Sequence, residues 1–233
     1  TFFTSAAQVT CDKAVIYGMN PERTIVFPWG VNLEQFSPST VNRSPSTSFT
    51  LFCNRSWEPR YGVDVLAKAF VKVAQQNPDV ELLLLGSGSQ GGVIRQILQS
   101  GGLLERVTFA GQVSQKDLPR WYHMADLYLS PSHVDGSSVS LMEALACGLP
   151  CLVSDIPANK EWVTENENGW LFPDGDADAL AAKILAVIAQ RENLPEVGRA
   201  ARRSAEKRAD WQKNFAQLLV AYGQTIQLHR RSK

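Results

Sequence analysis

From residue 49 onward the chain alternates short apolar runs with amphipathic segments, and that alternation leaves few folds open to it. Six runs read as strands, at 49–54, 80–86, 107–111, 127–131, 150–154 and 169–172. Helical patterns fall between them near 63–76, 92–99, 115–124, 138–146 and 157–164, and another at 178–190 follows the last strand. The run Glu-Leu-Leu-Leu-Leu-Gly at 81–86 keeps no polar alternate positions, as a strand covered on both faces requires. Strands and helices in strict alternation, joined by right-handed crossovers, give a doubly wound parallel α/β sheet of the Rossmann-like kind. Ligands of such sheets sit outside the carboxyl ends of the strands. The loops at 54–61, 86–90, 111–114 and 130–138 are therefore expected to line the pocket.

Length and composition narrow the class. A chain of 233 residues suits one large domain, or one domain and part of another. Its apolar fraction of 44% supports a sizeable core and is too low for a membrane protein. No apolar run approaches the ~20 residues that span a bilayer. Acidic and basic residues number 23 each, so the whole protein is not expected to bind nucleic acid or another polyanion. The first eight residues have no basic segment and no long apolar one, so no signal peptide is expected. Cys11 and Cys53 lie in apolar segments and are expected to be buried free thiols. Cys147 and Cys151 read as small residues at a helix end and a strand start, with no further metal ligands at suitable spacing. Four such cysteines form no disulfide framework and fit a reducing, cytoplasmic setting.

The stretch 135–151 carries the most chemistry. Asp135 and Glu143 stand eight positions apart and flank a Gly-Ser-Ser turn that opens a helix. Ser137 or Ser138 can cap that helix, whose start then presents free N–H groups and the positive end of the dipole. A phosphate is the usual guest at such an end. Glu143 lies about 8 Å further along the axis at ~1.5 Å per residue. One ligand could place a sugar near Asp135, a diphosphate at the helix start and a ribose near Glu143, which is the outline of a sugar nucleotide. Gly86-Ser87-Gly88 follows a strand and allows close backbone approach, to a ligand or within a plain turn, but a full Gly-x-Gly-x-x-Gly is missing and a nicotinamide reading fails. His133 is open to two readings, a proton carrier or a structural loop histidine.

The same stretch resembles the Glu-x7-Glu motif of the large group 1 family of retaining glycosyltransferases with the GT-B fold. The resemblance extends in order through Pro-Trp-Gly-Val-Asn at 28–32, Tyr-Gly-Val-Asp-Val-Leu at 61–66, Leu-Leu-Gly-Ser-Gly at 84–88, Ser-Asp-Ile-Pro-Ala-Asn-Lys-Glu-Trp at 154–162 and Asn-Gly-Trp-Leu-Phe at 168–172. It implies the C-terminal, donor-binding half of such an enzyme. Residues 1–47 would then end the acceptor domain and form the hinge, with a helix at 5–17, a short strand at 24–28 and a Ser/Pro-rich linker at 38–48. Residues 48–209 would bind the donor, and 210–233 would form a helix crossing back onto the missing half, with an apolar face of Phe215, Leu218, Leu219 and Tyr222. The chain would be a part of the whole enzyme and inactive alone.

The resemblance also assigns roles. Arg55 would hold the donor diphosphate, and Arg60 or Tyr61 would stand where the family carries a lysine. Asp135 takes the place of the motif's first glutamate, toward the donor sugar. Glu143 would accept the ribose hydroxyls, Gly136, Ser137, Ser138 and Val139 would meet sugar and phosphate, Gly86 would approach the ligand, and Gln112 and Val113 would meet the base. Glu161 would either cap a helix or touch sugar. No metal and no cofactor is implied, the substrate being a UDP-, GDP- or ADP-sugar. The acceptor would be a saccharide or a lipid-linked group bound through the missing domain. The basic run at 199–208, interleaved with Glu206 and Asp210, reads as a solvated helix face, while the resemblance adds peripheral contact with the inner membrane face. Two other functions stay open: a sugar-nucleotide-binding module without catalysis, and a GT-B sugar-nucleotide epimerase.

Overall fold

The computed structural model describes residues 2–40 and 48–231. Strands β3 (Phe49–Cys53), β4 (Val80–Leu85), β5 (Val107–Gly111), β6 (Leu127–Ser130), β7 (Cys151–Ser154) and β8 (Gly169–Phe172) form one sheet in the order β5-β4-β3-β6-β7-β8, with every pair parallel. All six agree with the sequence expectation to within a residue or so at each end. Leu82 and Leu84 of β4 pack into one core and Leu83 and Leu85 into the other, so successive side chains serve opposite faces. The first core takes α2 (Val63–Gln76), α3 (Gly91–Ser100) and α7 (Ala177–Ala189) through Leu66, Phe70, Ile94 and Ile184. The second takes α4 (Leu118–Met124), α5 (Val139–Ala146) and α8 (Leu194–Arg208) through Tyr122, Leu141, Leu145 and Ala201. Each fully buried leucine contributes roughly 1.5–3 kcal/mol.

Two helices are shorter than their sequence patterns. The segment expected at 115–124 becomes helical only at Leu118, because Pro119 sits at the second helical position and Ser114 and Asp117 close a turn ahead of it. The one expected at 157–164 is reduced to α6 (Pro157–Lys160), after which Trp162 and Val163 turn into the core.

The N-terminal segment holds α1 (Gln8–Ile16) and a two-stranded parallel sheet of β1 (Phe3–Ser5) and β2 (Thr24–Val26). The expected helix at 5–17 thus starts late, and β1 was not foreseen. Ala7 offers α1 no capping side chain, and Glu161 supplies one from across the fold, accepting from the N–H groups of Gln8 at 3.2 Å and Val9 at 3.0 Å. Glu161 therefore caps α1. Residues 41–47 of the expected linker lie outside the described residues.

Residues 29–31 dock on the turn between α8 and α9 (Trp211–Arg231). Val31 donates to the Ala209 carbonyl at 2.8 Å, Asn214 Nδ2 donates to the Trp29 carbonyl at 2.6 Å, and the Trp29 and Trp211 rings stack at 6.2 Å. A Cβ on Gly30 would come within 2.6 Å of the Trp211 backbone, so only glycine allows this approach. The far side of α9 leaves Phe215, Leu219, Tyr222 and Ile226 40–55% exposed. Two arginines of the basic run are used internally: Arg202 donates to the Phe36 and Ala146 carbonyls at 2.8 and 2.7 Å, and Arg208 lies over the Trp162 ring at 4.7 Å. Arg199, Arg203 and Lys207 face outward. Among the described residues no helix is long and apolar enough to cross a membrane. All four cysteines are buried and free.

Candidate functional site

Strand order reverses between β3 and β6, whose next neighbours β4 and β7 extend the sheet in opposite directions. Loops leaving adjacent strands at such a point diverge and open a crevice. Arg55 emerges just beyond β3, and residues 131–138 emerge beyond β6 and lead into α5. Gly62 brings the two loops together. It adopts φ +60 ahead of α2, and a side chain there would strike the Pro131 carbonyl.

Arg55 is 9% exposed, and its guanidinium is almost fully engaged by its own chain. Nη2 meets Asp135 Oδ2 at 2.5 Å, while Nη1 donates to Ser138 Oγ at 2.9 Å and Ser140 Oγ at 2.8 Å. Burial opposes its charge, but Tyr128, Asp135, Cys53 and Tyr61 outweigh that and strengthen its hold on the proton. Its Nε is buried without a partner, as is Ser137 Oγ. Buried donors are rarely left unpaired, and a pair at one crevice marks where a ligand atom would be welcome. Ser138 caps α5 by accepting from Leu141 N–H at 3.3 Å, which settles which of the two serines is the cap. The other two N–H groups of the first turn, of Val139 and Ser140, have no intrahelical acceptor. Asp135 Oδ1 accepts from Gly136 N–H at 2.9 Å, so the carboxylate is held at both oxygens.

Glu143 lies on α5 and is 3% exposed. Its Oε1 accepts from Gln115 Nε2 and its Oε2 from the Tyr122 hydroxyl, both at 2.8 Å. Burial raises its pKa, opposed in part by those two hydrogen bonds. The Tyr122 hydroxyl is pushed well above the usual tyrosine range by burial and by Glu143 beside it, and it accepts from Asn54 Nδ2 at 2.8 Å. Gln35 in turn holds the Gln115 carbonyl at 2.7 Å, tying this loop to the N-terminal segment. The sequence reading gave Gln115 and Tyr122 no role, and both reach the site only through the tertiary fold. Asn54 and Ser140 lie within the 54–61 loop and the 135–151 stretch, but their contacts were not legible there.

Two clefts open around this centre. One of about 290 Å³ is lined by Asn54, Gly86, Ser87, Gln112 and Val113. The other, of about 570 Å³, is lined by Arg60, Tyr61, His133, Asp135 and Gly136, with Lys13 of α1 among the residues on its opposite wall. Arg60 is exposed and rests over the Tyr61 ring at 4.7 Å, and Arg55 also lies over that ring, at 4.3 Å. His133 Nδ1 pairs with Asp174 at 2.7 Å. Gly136 faces open space and Val139 is 42% exposed. Gly88 answers to packing rather than to a ligand: a Cβ there would come 2.5 Å from the Trp57 carbonyl, in a loop that Glu58 clamps by accepting from Ser89 N–H and Oγ. Gly86, at φ +96, borders the smaller cleft.

The fold recurs in known proteins. The family model described as "Glycosyl transferases group 1" matches residues 38–204. A phosphatidyl-myo-inositol mannosyltransferase of Mycobacterium leprae is 33% identical over 202 residues, covering 85% of this chain and 53% of the relative. Sucrose-phosphate synthase from Thermosynechococcus elongatus superposes with a TM-score of 0.84 at 26% identity, over 97% of this chain and 58% of that one. HepE from Anabaena, solved with UDP and glucose, superposes with a TM-score of 0.83 at 22% identity over 95% of this chain and 62% of that one, a likeness of fold. The chain spans about half the length of the curated relatives it matches. Its sheet is that of one half of a GT-B enzyme.

Proposed function

Because the chain belongs to the glycosyl transferases group 1 family, we propose that it binds the nucleotide-sugar donor of a retaining glycosyltransferase in the crevice between β3 and β6. One observation carries the reading: the buried Arg55 guanidinium, with an unpartnered Nε, lies on the capping serine of the helix that bears Glu143. A diphosphate at this point would take charged donors from Arg55 and N–H groups from the start of α5. The ribose would reach Glu143, the base would enter the 290 Å³ cleft beside Gln112 and Val113, and the sugar would point past Asp135 into the 570 Å³ cleft. Cations and the helix dipole would stabilise the departing diphosphate without a metal, and electrostatic preorganisation would supply most of the acceleration. The anomeric configuration would be retained.

Under this reading residues 1–47 belong to the acceptor side and hinge, 48–209 to the donor domain, and 210–233 to a returning helix. The acceptor, a saccharide or a lipid-linked group, would bind largely through a partner half outside this chain, and transfer would depend on that half. Peripheral membrane contact through the outward-facing Arg199, Arg203 and Lys207 belongs to the same proposal, as does a cytoplasmic setting. A second reading, a sugar-nucleotide-binding module without catalysis, is favoured by the Arg55–Asp135 pair, which neutralises the main cation of the site.

Calorimetric titration of the chain with UDP, GDP and ADP, then with their sugar conjugates, tests the proposal. Selective binding of one diphosphate, weakened in Arg55→Ala, is expected. Equal affinity for diphosphate in wild type and Arg55→Ala would refute the phosphate site. Full sugar transfer by the chain alone would refute its dependence on the other half.

A further inference from the structure

We infer that Asp135 is a specificity residue that discriminates the intact sugar nucleotide from the bare nucleoside diphosphate, by occupying Arg55 until sugar hydroxyls release it. The inference rests on the donor-site reading above. Asp135 Oδ2 and Arg55 Nη2 stand 2.5 Å apart, with side chains only 14% and 10% exposed. Screening by water is weak there, and breaking a pair of that kind leaves a costly unpaired charge. Ser138 and Ser140 hold Nη1, so the guanidinium is fixed and cannot swing toward an incoming phosphate with its partner in tow.

A diphosphate approaching Arg55 therefore meets a carboxylate on the same guanidinium. It must displace Asp135 or bind against its charge. A displaced Asp135 is still held through Oδ1 by the Gly136 N–H, but Oδ2 needs a new donor. The hydroxyls of a sugar in the 570 Å³ cleft, which Asp135 borders, can supply it, and a bare diphosphate cannot. A ligand that displaces Asp135 loses the ion pair, and only the sugar conjugate recovers the loss. The consequence is a site that grips donor and lets the product diphosphate go.

Calorimetry on the chain tests this with UDP, GDP and ADP, each bare and as its hexose conjugate, on wild type, Asp135→Asn, Asp135→Ser and Arg55→Ala. Wild type is expected to favour the conjugate of its chosen base over the bare diphosphate. Asp135→Asn is expected to tighten the bare diphosphate on the order of tenfold and to shrink the preference for the conjugate. If wild type binds no bare diphosphate measurably, the substitution should bring one into range. Asp135→Ser repeats the test should Asn disturb folding, and thermal melting of each variant confirms the folded state. Unchanged or weaker diphosphate binding in folded Asp135 variants overturns the exchange, as does a wild type that prefers the bare diphosphate. Arg55→Ala separates the two levels: diphosphate binding that survives it overturns the donor-site reading itself. Loss in Arg55→Ala with no gain in Asp135→Asn overturns only the exchange.

Discussion

Replacing Glu143 by alanine tests the ribose end of the site, and the structure sets the size of the effect. Both carboxylate oxygens are already engaged, Oε1 by Gln115 and Oε2 by Tyr122. An incoming ribose hydroxyl can displace Gln115, an exposed loop residue whose amide returns to water, while Tyr122 stays in place. The ribose thus gains about one charge-assisted hydrogen bond, ~1.5–3 kcal/mol. Glu143→Ala should weaken the preferred nucleoside diphosphate roughly 10- to 150-fold. The variant is expected to fold, because Tyr122 can turn its proton to the Ser140 carbonyl, 3.0 Å away, and Gln115 can be hydrated. Calorimetry with the ribo- and 2′-deoxyribo-nucleotides closes a double cycle. Wild type should penalise the deoxy ligand, and Glu143→Ala should bind both alike. A folded Glu143→Ala that still penalises the deoxy ligand by the wild-type factor would refute the contact.

Three further outcomes follow from particular residues. Burial raises the Glu143 pKa above its ordinary 4.5, so ionisation costs the folded state at neutral pH and that cost fades as pH falls toward 4.5; urea melts should therefore show wild type gaining stability on Glu143→Gln as pH drops from 7 to 4.5, and a pH-independent gap would contradict the burial. Gly30→Ala forces a Cβ into the Trp211 backbone and should cost about 2 kcal/mol or more, read as a fall in melting temperature of roughly 4–8 °C; an unchanged midpoint would sink the docking of 29–31 on α9. Burial pushes the Cys53 thiol up to about 11 and Cys147 up to about 12, so native protein at pH 8 should resist Ellman's reagent at these positions and react fully in guanidinium; rapid native labelling would contradict their burial.

The sheet was legible because its strands need burial on both faces, and runs such as Val80–Leu85 state that without help from context. The α5 start was legible for a local reason as well, since a capping serine ahead of a helix acts within its own turn. Three-residue β1 was not, because pairing with β2 rather than its own pattern makes it a strand. Pro119, at the second helical position, is a local signal of the late start of α4. At the site, sequence named Arg55, Asp135 and Glu143 but not what they touch. The Arg55–Asp135 pair spans 80 positions, and Gln115 meets Glu143 across 28, so both depend on the order of strands. Glu161 illustrates the same limit: the N–H groups that it caps belong to α1, more than 150 positions away in the chain.

A crystal structure of the chain with its preferred nucleoside diphosphate bound tests the central claim most directly. The phosphates are expected on Arg55 and the first turn of α5, the ribose hydroxyls on Glu143 with Gln115 displaced, and the base in the cleft of Gly86, Gln112 and Val113. A nucleotide seated elsewhere, or phosphates at this crevice that leave Arg55 untouched, would contradict it.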